Sequence, residues 1–244
     1  MDIGMLNNFK IMLFEKSIKQ VQIIKQAYDK TVEDFNCGKA DLDYLPDSFK
    51  NSEKFKRFIN AISSCNSGDH RIKYYLNPKE GMNYLDCGSC ANLISYKLNE
   101  WPSLYFGIDI SHKLLTITNE FVEKHKLNIG GLFIADISNL PFTNNFFDIA
   151  SAIGVLEYYE VDYINLALKE LNRVIKQNGK LVIDMPNEDH PDVLTMIEYE
   201  NYLGRTRNKI VSKNEFIKAL NEFFIIDYID DSEVMMKFFL WRFK

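Results

Sequence analysis

From residue 82 onward, short apolar runs alternate with longer amphipathic stretches. The runs 82–86, 104–109, 131–135, 147–153 and 180–185 are rich in branched and aromatic residues and bounded by turn formers, which predicts five strands. Between them, apolar positions at helical spacing predict helices near 91–99, over 111–126 and over 161–176. Ser111 is placed to cap the second of these helices, and Gln177-Asn178-Gly179 to end the third in a left-handed turn. Such alternation predicts a parallel sheet with helices on both faces. The ending differs. Ser212-Lys213-Asn214-Glu215 is a capping box opening a helix over 213–222. Two strand-like runs follow, Phe223–Ile229 and Val234–Phe243, joined by Asp230-Asp231-Ser232. A connection that short requires antiparallel partners, so the sheet is expected to end in a hairpin.

Upstream the pattern is helical. In 1–30, Phe14, Ile18, Val21, Ile24 and Tyr28 form one apolar stripe. In 47–64, Phe55, Phe58, Ile59 and Ile62 follow the same spacing, with Phe49 off register near the entry. Asn77-Pro78-Lys79-Glu80-Gly81 punctuates the chain. The expected organisation is a helical segment or lid over 1–79 and a core over 80–244 that carries a polar, Tyr-containing insertion at 187–211.

Three successive strands end on carboxylates: Asp86 in Leu85-Asp86-Cys87-Gly88, Asp109 after Tyr105-Phe106-Gly107-Ile108, and Asp136 after Phe133-Ile134-Ala135. In an open parallel sheet the carboxyl ends of the strands line the ligand crevice. Carboxylates there suit hydroxyls and amines better than a bare phosphate. Glycine at 88 allows close backbone approach.

Composition narrows the partners. The chain has 244 residues, 46% of them hydrophobic and 26% charged, with a net charge of -5. That balance excludes global disorder and disfavours a nucleic-acid partner. No apolar run approaches the roughly 18 residues of a membrane span, and residues 1–30 lack a secretory pattern, so a reduced, cytoplasmic setting is expected. Cys87 and Cys90 have C-x-x-C spacing, but they lie in a strand-to-helix turn with no second Cys/His pair nearby. Packing is the preferred reading, and no metal is expected.

These motifs resemble the class I S-adenosylmethionine (SAM)-dependent methyltransferases over about residues 80–244, with a further echo at Ala27-Tyr28-Asp29-Lys30. Leu85-Asp86-Cys87-Gly88 resembles the glycine-rich first motif. Asp109 resembles the acid that takes the ribose hydroxyls, and Asp136-Ile137 with Leu140-Pro141-Phe142 the adenine turn. Gly154-Val155-Leu156-Glu157 resembles the active-site end of strand four, and Glu170–Lys176 with Asn178-Gly179 the approach to strand five. The resemblance implies an α/β fold: a seven-stranded, mostly parallel, doubly wound sheet with an antiparallel last strand, plus N-terminal helices. It also implies SAM as cofactor, bound by Asp86, Cys87, Gly88, Ser89, Asp109, Ile110, Asp136, Ile137, Ile153, Gly154 and Tyr28. The helix after the first strand is expected to offer free N–H groups to the methionine carboxylate. The sequence departs from the family at Cys90 and Asn92, which stand where further glycines are usual, and in lacking a histidine after strand four. An NAD-type fold shares the second acid, but it calls for closer glycine packing and no terminal hairpin.

Candidate catalytic residues are Tyr158, Tyr159 and Glu160 after strand four and His190 after strand five. Tyr199, Tyr202 and Arg205 in the insertion are candidates for a lid. The expected partner is a small-molecule methyl acceptor, with nitrogen the slightly favoured atom because no strong base stands out. A monomer or homodimer is expected, without nucleic acid or membrane. Methyl transfer to protein or RNA, and SAM binding without catalysis, are the alternatives.

Overall fold

The structure, a computed structural model, describes residues 3–64, 70–90, 92–207 and 209–243, and only the backbone at 3–14 and 62–64. Seven strands form one sheet: β1 (Asn83–Cys87), β2 (Leu104–Asp109), β3 (Gly131–Ile134), β4 (Phe147–Ala152), β5 (Ile175–Pro186), β6 (Ile225–Asp230) and β7 (Met235–Trp241). Their spatial order is β3-β2-β1-β4-β5-β7-β6. The first five are parallel neighbours. β7 inserts antiparallel between β5 and β6, closing the expected hairpin.

Period-2 alternation divides the core. Leu85 and Cys87, Phe106 and Ile108, Ala150 and Ala152, and Leu181 and Ile183 share one face with α1 (Ile3–Asn36), α7 (Val161–Val174) and α9 (Lys213–Leu220). Tyr84, Tyr105, Ile149, Val182 and Phe239 occupy the other, against α4 (His70–Leu76), α5 (Asn92–Ser95) and α6 (His112–His125). A third cluster joins α2 (Asp47–Lys50) and α3 (Glu53–Ser64) to α8 (Val193–Tyr202) through Phe49, Phe55, Phe58, Val193 and Met196. The insertion is therefore built around a helix. Val21 and Ile24 of α1 enter the main core, whereas Phe14 and Ile62 lie outside the described side chains.

Local signals behave as their chemistry requires. Ser111 accepts the Leu114 N–H, and Ser212 and Glu215 complete their capping box. Three boundaries differ from expectation. The helix over 47–64 is two helices, because the chain turns at Asn51-Ser52 and the Ser52 hydroxyl caps the second by accepting from Phe55 N at 3.3 Å. Helix α5 has four residues instead of spanning 91–99, since Lys97 turns left-handed (φ 51°) and Leu98 and Trp101 must reach the core. Helix α7 stops at Val174, and Ile175 already pairs with Phe147. Asn178 is left-handed (φ 60°), but inside a strand rather than as a helix cap.

The loop between β3 and β4 is held from behind. Arg173 donates to the carbonyls of Leu140 (2.9 Å) and Phe142 (2.6 Å) and to Glu170, which in turn accepts from Leu140 N (2.9 Å). Arg173→Met would leave those carbonyls unpaired. It is expected to cost about 1–3 kcal/mol in chemical denaturation, and an unchanged midpoint would show the clasp to be idle.

Candidate functional site

The strand order reverses direction between β1 and β4, which leaves a crevice at their carboxyl ends. The turn after β1 enters it at Gly88 (φ 67°), and the turn after β4 at Gly154 (φ 70°). A Cβ on Gly88 would lie 2.4 Å from Val155 Cγ2, so only glycine fits. Asn92 Nδ2 donates to Gly88 O (3.2 Å) and Asp86 Oδ1 (3.3 Å), so a side-chain amide ties down the turn where the family resemblance suggested a glycine. Cys90 takes the left-handed angle (φ 33°).

A cavity of about 400 Å³ opens above this crevice. One end is walled by Gly88, Cys90, Asp109, Ile110, Leu114, Ala135, Ile137, Ile153 and Gly154. Asp109 is buried and accepts from Cys90 N (3.0 Å) and Ser111 N (2.8 Å). Burial raises its pKa above the usual carboxylate value, and the backbone donors work against that rise. The other end is walled by Tyr28 of α1, Phe58 of α3, Glu157 and Tyr158 after β4, Asp184 of β5, and Met196, Tyr199 and Glu200 of α8. Tyr28 and Tyr158 hydroxyls lie 3.2 Å apart, and Tyr158 donates to Glu200 Oε2 at 3.0 Å. Tyr159 stacks on Tyr163, with centroids 4.0 Å apart, between the two ends.

Two buried carboxyls in this wall are perturbed. Glu157 is pushed up to about 8, first by burial and then by neighbouring Asp184. Its Oε2 has no hydrogen-bond partner among the described residues. Asp184 is raised to about 6 by burial, opposed by the Gly154 N–H (2.8 Å) and Lys237.

The cavity thus gathers Tyr28, Gly88, Asp109, Ile110, Ile137, Ile153, Gly154, Tyr158 and Tyr159 from the residues singled out in the sequence. It also gathers Tyr199 of the lid candidates, but not the rest. Asp86 faces the opposite side of β1, where it accepts from Tyr105 (2.9 Å), Ser151 (3.2 Å) and Asn92. There it borders a smaller hollow of about 110 Å³. Burial raises Asp86 to about 7 against those donors. Cys87 and Ser89 are buried in the turn, where Ser89 N donates to Ile108 O (2.8 Å). Asp136 Oδ1 is taken by Ser138 N (2.8 Å) and the Tyr163 hydroxyl (2.6 Å), and its neighbours Ala135 and Ile137 form the wall instead. Glu160 pairs with Lys16 of α1 (2.5 Å), outside this cavity. His190 Nδ1 accepts Asp192 N (3.1 Å) in the loop before α8. Neither Glu160 nor His190 reaches the cavity. Tyr202 packs on Phe49 (5.2 Å), and Arg205 stacks on the ring of Tyr28 (4.4 Å) rather than lining the wall. Among the described residues no His/Cys/Asp/Glu group is arranged to hold a metal ion, and Cys87 is a buried free thiol.

Sequence reasoning missed Asp184 and Glu200 as wall residues. Asp184 carried a signal, being an acid inside the apolar run Leu181-Val182-Ile183-Asp184-Met185. Glu200 carried none, because only the fold of the insertion brings it in.

Residues 85–183 match the family model described as "Methyltransferase domain". The chain is 33% identical over 152 residues to a demethylmenaquinone methyltransferase of Staphylococcus saprophyticus, covering 59% of this chain and 63% of that one. It is 24% identical over 212 residues to the sterol 4-C-methyltransferase strm-1 of Caenorhabditis elegans, covering 80% and 60%. The fold resembles that of the geranyl diphosphate C-methyltransferase of Streptomyces coelicolor, solved with S-adenosyl-L-homocysteine (TM-score 0.57, 11% identity, 71% and 74% covered). The chain spans about half the length of the curated relatives it matches. Over residues 85–183, from β1 into β5, the chain is thus similar to methyltransferase domains.

The perturbed carboxyls give the protein a pH signature. Asp86, Asp184 and Glu157 hold protons in the fold at pH values where the unfolded chain has released them. Their contribution to stability is complete below about pH 4 and is lost as pH rises through 6 to 8. Below that range Asp29 and Glu170, whose carboxyls are held down by lysine and arginine partners, lose stability on protonation. The thermal midpoint is expected to be highest near pH 5 and to fall toward pH 8, about the range of the raised carboxyls. Asp86→Asn is expected to flatten the slope. A midpoint that rises from pH 5 to 8 would contradict the burial of these groups.

Proposed function

We propose that the protein is a SAM-dependent methyltransferase acting on a small-molecule acceptor. The observation that carries this reading is one cavity with two chemically distinct ends under a helical roof. The first end fits the cofactor: Gly88 presents backbone with no room for a Cβ, and the buried Asp109 offers acceptors for a ribose diol. Ile110, Leu114 and Ile137 offer apolar surface for a flat base. When bound, SAM supplies a methyl group activated by a sulfonium.

The chain's own residues position the acceptor and keep water away from it. Tyr28 and Tyr158, joined through their hydroxyls, close the wall between α1 and the end of β4. Helix α8 contributes Met196, Tyr199 and Glu200, and α1 is fastened to α6 by Asp29 with Ser111 (2.5 Å) and by Glu33 with Lys113. The carboxylate-rich far end is unfavourable for a phosphate chain, and the roof supports a compact acceptor over a polymer. At four residues, α5 adds little macrodipole for a methionine carboxylate, and the N–H groups of Ser89, Cys90 and Asn92 are already bonded to Ile108 O, Asp109 and Ser89 O, so the free N–H groups expected of this helix start are not seen among those residues.

Incubation with methyl-labelled SAM and fractionated cell extract tests the acceptor class. Label is expected in the small-molecule fraction, and label in RNA or protein would reverse the assignment. Asp109→Ala is expected to weaken S-adenosylhomocysteine binding by about 1–3 kcal/mol in calorimetry, with the far-UV spectrum retained. Unchanged affinity would remove Asp109 from the site.

A further inference from the structure

The far end of the cavity carries more negative than positive charge. Glu157, Asp184 and Glu200 come from three separate elements and meet in one wall. Glu157 and Asp184 are 7% and 3% exposed. Of the cations nearby, Arg205 and Lys237 are held in ion pairs, whereas the buried guanidinium nitrogens of Arg207 have no hydrogen-bond partner among the described residues. Arg205 stacks on the outer side of Tyr28 (4.4 Å) and is shared between Glu200 and Asp41, at 3.6 Å each. Lys237 is paired with Glu233 at 2.5 Å. Arg207 lies 5.3 Å from the Tyr158 ring centre and is the cation acting on Glu157. Those three cations face five carboxylates. A buried carboxylate without its countercharge is costly unless a ligand or a proton completes it.

We infer that the acceptor is an amine on an aromatic or apolar scaffold, held as its ammonium between Glu157, Asp184 and Glu200, and that Glu157 is the base that removes its proton. This inference rests on the methyl-transfer reading of the cavity. Three observations select an amine. The wall offers acceptors and anions, with tyrosine rings at Tyr28, Tyr158 and Tyr199 that suit a cation. A phenolate or enolate nucleophile would build negative charge against three carboxylates, whereas an ammonium brings the missing positive charge. Glu157 Oε2 is buried and without a hydrogen-bond partner among the described residues, in the wall of the same cavity that Gly154 and Gly88 line.

The step balances as follows. The ammonium gives one proton to the Glu157 carboxylate, leaving a neutral amine and a carboxylic acid. The nitrogen lone pair forms the new bond to the methyl carbon, and the carbon–sulfur bonding pair stays on sulfur, which becomes a neutral thioether. The product nitrogen carries the positive charge, and the proton on Glu157 passes to water as the products leave. With its affinity for protons raised to about 8, Glu157 holds a proton near neutral pH before the amine binds; the charge of an incoming ammonium favours its carboxylate, which sheds that proton to water and then accepts the one from nitrogen. Asp184, Glu200, Arg207 and the Tyr28 and Tyr158 hydroxyls are the other charged and titratable groups that act on it.

The test uses the full chain saturated with S-adenosylhomocysteine. Phenethylamine, tyramine and tryptamine are compared with their matching alcohols and carboxylates by saturation-transfer NMR and by shift of the thermal midpoint. The amines are expected to bind and stabilise, and the alcohols and carboxylates are not. Glu157→Gln should keep S-adenosylhomocysteine affinity within about twofold and weaken the amines at least tenfold. With SAM in place of the homocysteine form, the same variant should lower methyl transfer to the amines at least a hundredfold. The inference is overturned if no amine binds, if alcohols or carboxylates bind as well, or if Glu157→Gln binds the amines like the parent. Loss of S-adenosylhomocysteine binding by the parent protein would overturn the proposed function instead.

Discussion

The contact between Gly88 and Val155 sets the geometry of the site. β1 and β4 are adjacent parallel strands, and the chain leaves both at the same end of the sheet. The two turns meet so closely that the first has no room for a Cβ. That approach brings the Asp109 carboxylate beneath one turn and the Glu157 carboxylate above the other, with the cavity between them. The position of each wall residue then follows from strand register rather than from its own local preferences. Asn92 matters for the same reason. Its amide bonds the Gly88 carbonyl and Asp86, fixing the turn from the side and compensating for the glycines the motif lacks.

A second constraint is the concentration of carboxyls at the strand ends. Asp86, Asp109, Asp184 and Glu157 are all raised above their usual range, and burial is the first cause in each case. Asp86 and Asp109 are surrounded by donors: Tyr105, Ser151 and Asn92 around the first, and the backbone of Cys90 and Ser111 around the second. These bonds offset desolvation and stiffen the turn. Glu157 has no hydrogen-bond partner at Oε2 among the described residues, and Arg207 and the Tyr158 hydroxyl only partly oppose its desolvation. Partly compensated burial at a cavity wall is a feature of a group reserved for chemistry rather than for stability.

The sheet order and the terminal hairpin were legible because their signals are local: apolar runs of strand length, the Ser111 cap, the Ser212–Glu215 box and a short turn before the last strand. The orientation of Asp86 was not legible. Both faces of this sheet are covered, so Tyr84, Leu85, Asp86 and Cys87 show no alternation of polarity from which parity could be read. Glu160 and Tyr159 are neighbours in sequence, yet one begins a helix and meets Lys16 while the other turns inward to stack on Tyr163. Adjacency after a strand therefore could not separate them. His190 was plausible by position alone, and the backbone it binds lies in its own loop.

The insertion adds a wall to the cavity from outside the five parallel strands. Helix α8 is secured by Phe55 and Phe58 of α3 packing on Tyr199, a contact between two segments outside the five parallel strands. Together they carry Phe58, Met196, Tyr199 and Glu200 to the cavity wall. The wall around Gly88 and Asp109 is thus set by sheet register, while the wall around Tyr199 and Glu200 is set by how α1, α3 and α8 pack. Changes in those helices can alter the acceptor while leaving the cofactor end intact. That separation explains why the part of the chain that resembles methyltransferases in sequence does not foretell the far wall, which residues from distant parts of the chain assemble.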